Sequence, residues 1–424
     1  MILAAAFILL LGCPPGRKPT DDSATPRDTD RPGDSGDSGE PVTDECDTDE
    51  QALRAMLTGA EPSRAQVQAL LGNVAGSCGW PIESQTGSYL FACDCGGGAW
   101  SVAGDFDDWS GQAMTTHGAL SWAELDVPSP TDAGYKLTDG GSTWSADPWA
   151  RRYLYDENGE ISYVRAQQAH LERWPGFEAA GLQPRTVRVW VPAAGIFDRV
   201  LFAHDGQNLF DPQAIWGGWH LQDSLPAGML VVANDNTSDR MEEYTHVQDT
   251  IHGSEYGGWG DTYGAFVQEQ LRPWAADQYG HADLHGLLGS SLGGLISLHI
   301  ADRYPGEYDL VACMSGTLGW GSIEASNQTM IQRYAAAGHR DTAIYLDSGG
   351  DGTCYDSDSD GTDDDDPTSS DNYCETNQMA ATLEGLGYTW EQDLWHWWEP
   401  DAQHNEMEWA ARVELPLSVF ASLD

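Results

Sequence analysis

The 424-residue sequence is poor in basic residues: 20 Lys and Arg stand against 67 Asp and Glu, which gives a formal net charge of −47. Only Lys18 and Lys136 are lysines. A chain of this charge repels nucleic-acid phosphates and anionic lipid headgroups, which excludes nucleic acid as a partner and direct binding of the protein surface to such membranes. Substrates of high negative charge are disfavoured for the same reason.

The sequence also lacks an apolar run long enough to cross a bilayer, which takes about 20 residues. Its N-terminal apolar run covers only residues 2–11 and is typical of the central region of a signal peptide. The segment Leu10-Leu11-Gly12-Cys13 resembles the lipobox of bacterial lipoproteins, in which the cysteine is lipidated. We expect residues 1–12 to be a lipoprotein signal peptide and Cys13 to anchor the protein in the cell envelope, on its periplasmic or outer surface. An ordinary signal peptide with an incidental cysteine is the alternative.

Residues 13–50 contain few side chains that could form a core and are rich in Asp, Pro, Ser and Gly. Such a composition does not bury enough apolar area to offset the loss of chain entropy, so it predicts a disordered acidic tether. A good part of the net charge therefore belongs to a spacer rather than to a functional site.

Beyond Cys13, the seven cysteines point to an oxidising compartment, and their odd number leaves at least one thiol free. Cys313 stands in an apolar run and is interpreted as a buried free thiol. Cys354 and Cys374 bracket an acidic insertion and are predicted to pair. The Cys93-Asp94-Cys95 segment is not expected to bind zinc, because no second pair of ligands stands at a suitable spacing. The remaining four cysteines do not define their own pairing: Cys46, Cys78, Cys93 and Cys95.

The folded part divides into three regions by its hydrophobic patterns. Residues 51–86 carry two short helical patterns, at 51–57 and 64–71. Residues 87–168 contain short alternating strands separated by Gly, Asp and Pro, which favour a small antiparallel β-sandwich. Residues 169–424 alternate apolar strands with helices, which predicts an α/β doubly wound sheet.

The β-rich region carries the motifs SVAGDFDDWS, GYKLTDG and WSADPWARR, in that order. They resemble the early-set immunoglobulin-like module that precedes glycogen-branching enzymes and enterochelin esterases. The resemblance implies either a carbohydrate-binding module or one that packs against the catalytic domain. Trp109 and Trp144 suit both alternatives, as sugar-stacking rings or as core residues.

A nucleophile elbow is predicted at Gly289-Ser290-Ser291-Leu292-Gly293, between an apolar strand and an apolar helix. The glycines permit the tight turn, and the serine stands at the N-terminus of the helix, where a developing oxyanion is favoured. Ser291 is the candidate nucleophile. We expect its oxyanion hole to combine the N–H of Leu292 with that of Gly206 or Gln207, which follow an earlier strand.

A serine nucleophile needs a histidine base and an acid that orients it. His404 is the candidate base because it lies in the loop before the last helix; His396 and His339 are weaker competitors. Asp351 is the candidate acid because it stands just beyond the strand that ends at Asp347, which is the runner-up.

The segments HDGQNLFD, VVANDNTSDRMEEYT, GSSLGGL, LDSGGD and DAQHNEMEW resemble the putative-esterase family of α/β-hydrolases, which includes enterochelin and feruloyl esterases. The resemblance implies an α/β-hydrolase fold, a triad of Ser291, His404 and Asp351, and no cofactor for catalysis. Arg240 and Glu243 match a family segment and are either pocket residues or a salt bridge that holds the loop. Trp216 and Trp219 lie near the oxyanion loop and are candidates for the substrate pocket.

The insertion between Cys354 and Cys374 departs from the family, with alternating aspartates followed by Gly361. This is the start of a calcium loop of the EF-hand type, but Pro367 replaces the closing glutamate. A structural Ca²⁺ site and a merely solvated acidic loop are the two alternatives. The candidate ligands are Asp356, Asp358, Asp360 and Asp364.

The predicted function is that of an extracytoplasmic serine esterase acting through an acyl-enzyme on a small-molecule or polysaccharide-linked ester. The alternative is a surface-tethered carbohydrate-binding protein whose hydrolase domain is a non-catalytic scaffold. The membrane is a partner only through the lipid anchor.

Overall fold

The structure, a computed structural model, describes residues 45–84, 86–96, 98–356, 361–365 and 371–423, with the backbone alone at 364 and 365. The predicted signal peptide, Cys13 and most of the tether lie outside these ranges, so their assignment stays a prediction. Within the described ranges, no helix combines the length and the apolar character needed to cross a membrane.

Eleven α-helices lie in the described part of the chain, and a π-helical turn at Phe266–Leu271 joins α5 to α6. In chain order the helices are α1 Glu45–Thr58, α2 Arg64–Ser77, α3 Leu221–Ser224, α4 Arg240–Glu243, α5 Gly260–Ala265, α6 Arg272–Tyr279, α7 Leu292–Arg303, α8 Met330–Ala337, α9 Tyr373–Gly385, α10 Glu406–Arg412 and α11 Glu414–Ser422.

The strands before residue 169 are short and mostly antiparallel. They are β1 Ile82–Glu83, β2 Ser88–Cys93, β3 Ser101–Gly104, β4 Gln112–Ala113, β5 Thr115–His117, β6 Leu120–Asp126, β7 Gly134–Thr138, β8 Trp144–Ser145, β9 Arg152–Asp156 and β10 Gly159–Tyr163.

The later strands include a parallel set. They are β11 His170–Phe177, β12 Arg185–Val191, β13 Arg199–His204, β14 Met229–Asn234, β15 Gln248–Ile251, β16 Ser254–Gly257, β17 Leu284–Ser290, β18 Leu310–Met314, β19 Ala343–Ser348, β20 Cys354–Tyr355, β21 Asp364–Asp365 and β22 Leu394–Trp398.

The two predicted N-terminal helices are present and longer than expected. Helix α1 begins at Glu45, so the predicted boundary of the tether at residue 50 was wrong and residues 45–50 are helical. Ser63 caps α2 through a capping box with Gln66, which defines where this helix begins. A disulfide between Cys46 and Cys78 ties the start of α1 to the end of α2. The two helices pack on one face of the sheet that contains β2, which explains why all six positions of β2 are buried.

The predicted β-rich region forms two sheets with a shared core. The first has the strand order β1-β2-β6-β5, and the second contains β10, β7, β3 and β4. Phe91 of the first sheet meets Tyr135 of the second edge to face, with ring centroids 5.0 Å apart. The layered arrangement agrees with the predicted sandwich, while its assignment to the early-set immunoglobulin-like group stays a prediction.

The second sheet does not stop at the predicted boundary between residues 168 and 169. It continues from β9 into β11 through the antiparallel pairs Leu171–Tyr153 and Glu172–Arg152. The N-terminal sandwich and the α/β region therefore share one continuous sheet. The division into separate domains stays a prediction from the sequence.

The α/β region confirms the predicted fold class. Its strands follow the order β11-β12-β14-β13-β17-β18-β19-β22. The members from β14 onward run parallel to one another, whereas β12 pairs with β14 in the antiparallel direction. Helix α7 contributes to the core on one face, whereas α10 and α11 contribute to the core on the other. The carboxyl ends of the parallel strands meet at one edge, which is where ligands bind in such sheets.

The described disulfides confirm the predicted pairing of Cys354 with Cys374 and leave Cys313 as a buried free thiol. They also settle what the sequence left open, because Cys46 pairs with Cys78 and Cys93 with Cys95.

Candidate active site

Ser291 occupies a strained turn between β17 and α7, with φ 57° and ψ −126°. A side chain at Gly289 would collide with the backbone of Gly293, and one at Gly294 would meet the sulfur of Cys313 at 2.7 Å. Only glycine therefore lets the strand and the helix approach this closely. The strain is stored where the hydroxyl is presented at the carboxyl edge of the sheet.

His404 lies in the loop after β22, directly before the N-cap Asn405 of α10. Its Nε2 is 2.9 Å from Ser291 Oγ, and its Nδ1 is 2.9 Å from Asp371 Oδ1. Because a carboxylate accepts at Nδ1, that nitrogen carries the proton and Nε2 is left to accept from the serine hydroxyl. The ring also stands edge-on to Trp409 at 4.9 Å, which fixes its plane.

Asp371, not Asp351, is the carboxylate at His404, so the predicted position of the acid was wrong. Both ring nitrogens of His404 are already engaged, by Ser291 and Asp371. Asp351 is exposed, and its Oδ1 accepts from the N–H of Thr353 two residues away. Cys374 is disulfide-bonded to Cys354, with 5.5 Å between their Cα atoms, and the carboxylate of Asp371 lies against Gly349, directly after β19.

A buried network supports Asp371 from behind. Its Oδ2 accepts from Ser315 Oγ at 2.9 Å and from Arg412 Nη2 at 3.1 Å. The same Arg412 nitrogen is 3.2 Å from Asp347 Oδ1, so one guanidinium serves two fully buried carboxylates. Trp409 donates to Ser315 Oγ at 3.0 Å and so links the network to the helix that follows His404.

Burial raises the pKa of Asp347 to about 6, with Arg412 acting against that shift and the nearby charge of Asp371 adding to it. Asp347, the alternative candidate for the acid, thus lies inside the site, but its carboxylate contacts Arg412 rather than His404. Arg412 could have been suspected from its position about two helical turns after the predicted base His404, but nothing in the sequence indicated that it would contact Asp347 and Asp371.

The expected oxyanion loop lies beside the elbow. A tight turn at Gly206–Asn208 follows Asp205, which has φ 60°. A side chain at Gly293 would lie 3.3 Å from Asp205 Oδ2 and 3.4 Å from His204 Cβ, so the loop and the start of α7 are in close contact. The loop that carries Gly206 and Gln207 therefore lies beside the start of α7, which begins at Leu292, while the oxyanion hole formed by their N–H groups stays a prediction.

The base of this loop is held by buried polar side chains that the sequence did not single out. His204 Nδ1 lies 2.7 Å from the hydroxyl of Tyr263, which also accepts from Asn234. Burial lowers the pKa of His204 to about 4, so this imidazole is neutral under ordinary conditions. The backbone N–H of Asp205 donates to the hydroxyl of Tyr244.

Arg240 and Glu243 form ion pairs, but not with each other. Arg240 donates from Nε and Nη2 to the two carboxylate oxygens of Asp205, both at 2.8 Å. Glu243 is fully buried and accepts two hydrogen bonds from Arg185, at 2.8 and 2.9 Å. Of the two predicted alternatives, the structure shows salt bridges; the one from Arg240 fastens the residue next to the oxyanion loop.

The two candidate pocket tryptophans differ in exposure. Trp216 is 63% exposed in the turn Ile215–Gly217, which packs on α10. Trp219 is only 3% exposed and lies beside Trp409, with the two rings tilted and their centroids 6.1 Å apart. Trp216 can therefore meet a ligand, whereas Trp219 supports the ring that contacts His404.

The competing histidines lie away from the serine. His339 Nε2 contacts Asp393, and His396 is half-buried, with its pKa lowered to about 4 by desolvation of the ring. A separate cavity of about 570 Å³ at the junction with the N-terminal sandwich, lined in part by Arg152, His170 and Glu172, contains neither Ser291 nor His404.

The predicted calcium loop falls largely outside the described residues: Asp358 and Asp360 lie there, as does the side chain of Asp364. Asp356 is described, and its carboxylate accepts from the N–H of Gly361 at 3.2 Å. No cluster of three or more His, Cys, Asp or Glu suited to a metal occurs in the described ranges. Calcium binding therefore stays a prediction.

Comparison with known proteins gives the family. A family model described as "Putative esterase" matches residues 183–413, more than half of the chain, including every residue of the hydrogen-bonded Ser–His–Asp set. The chain belongs to this esterase family. A curated relative, "Uncharacterized protein YbbA" of Bacillus subtilis, is 27% identical over 126 residues, which cover 28% of this chain. The match spans only about half of that relative, 49% of its length.

Solved structures similar to this family member include three hydrolases. The enterobactin esterase FES of Shigella flexneri is 15% identical with a TM-score of 0.41, over 80% of this chain and 94% of its own. The siderophore hydrolase EstA of Aspergillus nidulans is 17% identical with a TM-score of 0.45, over 60% and 95%. An IroE-like serine hydrolase of Shewanella oneidensis is 15% identical with a TM-score of 0.45, over 61% and 82%. Because these TM-scores are below 0.5, the fold assignment rests on the strand order and the family match.

Proposed function

We propose that this esterase-family protein hydrolyses a carboxylic ester through an acyl-enzyme formed on Ser291. The observation that carries the proposal is the continuous hydrogen-bonded series from Ser291 Oγ through His404 to Asp371, with both links at 2.9 Å. Its chain order of serine, acid and histidine agrees with the order expected in α/β-hydrolases.

The first half of the reaction uses His404 as a base. Ser291 Oγ attacks the ester carbonyl while its proton passes to His404 Nε2. Asp371 keeps Nδ1 protonated and stabilises the imidazolium, and Arg412 and Ser315 hold the other oxygen of that carboxylate. The N–H groups of Leu292 and of Gly206 or Gln207 stabilise the oxyanion of the tetrahedral intermediate.

The second half uses the same groups in reverse. The intermediate collapses as His404 returns the proton to the leaving alcohol, which leaves the acyl group on Ser291. Water then attacks the acyl-enzyme with His404 again as base, and the carboxylic acid is released. The residues of this chain carry every step, so we propose that no cofactor takes part in catalysis.

We propose as substrate a small-molecule ester or an ester linked to a polysaccharide. Two of the similar structures named above are an enterobactin esterase and a siderophore hydrolase, which makes siderophore esters one class to test. We further propose that Cys13 is lipidated and holds the protein in the cell envelope. Recovery in the membrane fraction that is lost in Cys13→Ser would test that location.

The test of the activity is turnover of p-nitrophenyl acetate by the purified protein and by Ser291→Ala. The wild type is expected to release p-nitrophenol and Ser291→Ala to lose about 10³-fold or more of kcat. Ser422→Ala, on the exposed side of the last helix, is the matched control and should keep wild-type turnover. No turnover by the wild type, or full turnover by Ser291→Ala, would refute the proposal. Binding of the inactive protein to insoluble glucan or xylan would then favour the scaffold alternative.

A further inference from the structure

The positive charges around the candidate oxyanion loop are already neutralised by carboxylates. Three arginines each make two hydrogen bonds, of 2.7 to 2.9 Å, with one acidic side chain. Bidentate Arg–carboxylate pairs of this kind leave little net charge for a ligand. The pairs are Arg240 with Asp205, Arg188 with Asp235, and Arg185 with Glu243.

Two of these pairs lie directly against the catalytic loops. Asp205 faces Gly293 at the start of α7, and Asp235 lies 3.0 Å from where a side chain at Gly206 would begin. The fourth nearby arginine, Arg412, is shared between two buried carboxylates behind the triad. None of these guanidinium groups is therefore available to balance an anionic substrate.

Glu406 adds a carboxylate at the same place. It lies two residues after His404, and its Oε1 accepts from Asn208 Nδ2, at the end of the oxyanion loop, at 3.1 Å. Partial burial raises the pKa of the Glu406 carboxyl; the nearby charge of Asp205 adds to this shift, and Arg240 and His404 act against it. Within the described part of the chain, no Lys or Arg forms an ion pair with Glu406. The loop is thus bordered by one carboxylate that no direct ion pair neutralises.

Apolar side chains lie next to this charge. The turn that contains Ile215 and Trp216 packs on α10, and Met407 follows Glu406 on that helix. All three are exposed, at 42%, 63% and 58% respectively. Such exposed apolar groups beside a polar site are suited to hold an apolar part of a ligand.

We infer that the site selects carboxylic esters that are uncharged or cationic near the scissile bond, and that Glu406 is the residue that rejects anionic ones. The inference rests on the esterase function proposed above and adds a substrate class to it. Its physical basis is that a half-buried carboxylate is poorly screened, so that a second negative charge within several ångströms is repelled while a positive one is attracted.

The test uses rigid aryl esters that differ only in one para substituent. The first series consists of phenyl acetates whose phenol ring carries a carboxylate, a carboxamide or a trimethylammonium group, so that the charge lies on the alcohol side. The other is p-nitrophenyl benzoate with the same three groups on the benzoyl ring, so that the charge lies on the acyl side. Each kcat/KM is divided by the rate constant for hydroxide-catalysed hydrolysis of the same ester, which removes differences in intrinsic reactivity.

For the wild type we expect the normalised kcat/KM of the anionic ester to be about tenfold or more below that of the neutral one in at least one series. The normalised kcat/KM of the cationic ester should equal or exceed that of the neutral ester. Glu406→Gln keeps an oxygen that can accept from Asn208 but removes the charge, so the ratio of neutral to anionic kcat/KM should fall to within about threefold of unity.

A second variant tests the same charge balance by another route. Asp205→Asn keeps the size of the side chain and tolerates the positive φ of this position, but it releases the charge of Arg240. This variant should also raise the normalised kcat/KM of the anionic ester relative to that of the neutral ester. Glu408→Gln is the matched control, because two positions further along the helix it faces another direction, and it should keep the wild-type ratio.

The outcomes separate this inference from the function on which it rests. Turnover of all three charge classes with equal normalised kcat/KM overturns the selection by charge and leaves the esterase function intact. An equal loss for all three esters in Glu406→Gln also overturns it, since Glu406 would then only position the oxyanion loop. No turnover of any ester overturns the esterase function and this inference with it.

Discussion

Buried carboxylates have different kinds of hydrogen-bond partners in the two parts of the continuous sheet. In the N-terminal sandwich, Asp147 is fully buried and accepts from the hydroxyl of Tyr135 and the N–H of Trp149, both at 2.9 Å. These partners lie within 12 positions of it in the chain. In the α/β region, Asp371 gathers its partners from Ser315, His404 and Arg412, which lie 33 to 56 positions away.

The difference separates a structural carboxylate from one that serves a site. A buried acid satisfied by its own hairpin stabilises that hairpin, whereas one that joins three distant segments defines a geometry that local sequence does not specify. The buried charges of the α/β region also cluster at the carboxyl edge of the sheet, beside Ser291. Removing the carboxylate of Asp147 should therefore affect stability, whereas removing that of Asp371 should affect catalysis.

The largest effect should come from Asp371→Asn. Without the carboxylate, Nδ1 of His404 is no longer held as a donor, so kcat for p-nitrophenyl acetate should fall by about 10³- to 10⁴-fold with the fold retained. Asp351→Asn and Asp147→Asn are the controls and should change kcat by less than about threefold. A large loss in Asp351→Asn with normal activity in Asp371→Asn would reverse the assignment of the acid.

A core substitution in the sandwich should act on stability rather than on chemistry. Phe91 is fully buried and packs edge to face on Tyr135, so Phe91→Ala should lower the free energy of unfolding by about 3 to 5 kcal/mol. Since β9 pairs with β11, the loss should appear in one cooperative transition that includes the α/β region. Calorimetry that shows two separate transitions, with only the first shifted, would contradict a single cooperative unit.

The smallest effect is a dependence of stability on pH. Burial raises the pKa of both Asp147 and Asp347 to about 6. An unfolded aspartate ionises near pH 4, so between about pH 4 and 6 the folded state binds more protons and the free energy of unfolding decreases as pH rises, by up to about 2 to 3 kcal/mol per carboxyl. Above pH 6 these two groups add no further slope.

The two carboxyl groups should differ in what else their replacement changes. Asp147→Asn should flatten the stability profile between pH 4 and 6 and leave the pH profile of kcat as it was. Asp347→Asn should flatten the stability profile and also move the acidic limb of the kcat profile, because Arg412 links it to Asp371. Denaturant titrations at several pH values measure the change in the stability profile. If Asp347→Asn leaves the pH profile of kcat unaltered, the contact through Arg412 does not affect catalysis.

Much of the fold followed from the sequence because the signals are periodic and local. The alternation of apolar strands and helices after residue 169 predicted the α/β class, and the strand patterns of the sandwich corresponded to β2, β3, β6 and β7. The helical patterns at 51–57 and 64–71 underestimated both helices. Helix α1 begins at Glu45, where the disulfide from Cys46 to Cys78 ties it to α2, and α2 continues to Ser77 because Val74 and Ala75 are buried. The continuation of the sheet from β9 to β11 had no local signal.

The sequence alone determined Ser291, because the glycines that the elbow needs lie within three residues of it and between a strand and a helix. It determined His404 through its place before the last helix. Only the tertiary structure decided the acid, since nothing in the local sequence shows that Asp371, from the segment between Cys354 and Cys374, lies against Gly349 at the strand end and within hydrogen-bond distance of His404. It also decided the charge of the site, because whether Arg240 is free or bound by Asp205 depends on contacts between segments 35 positions apart.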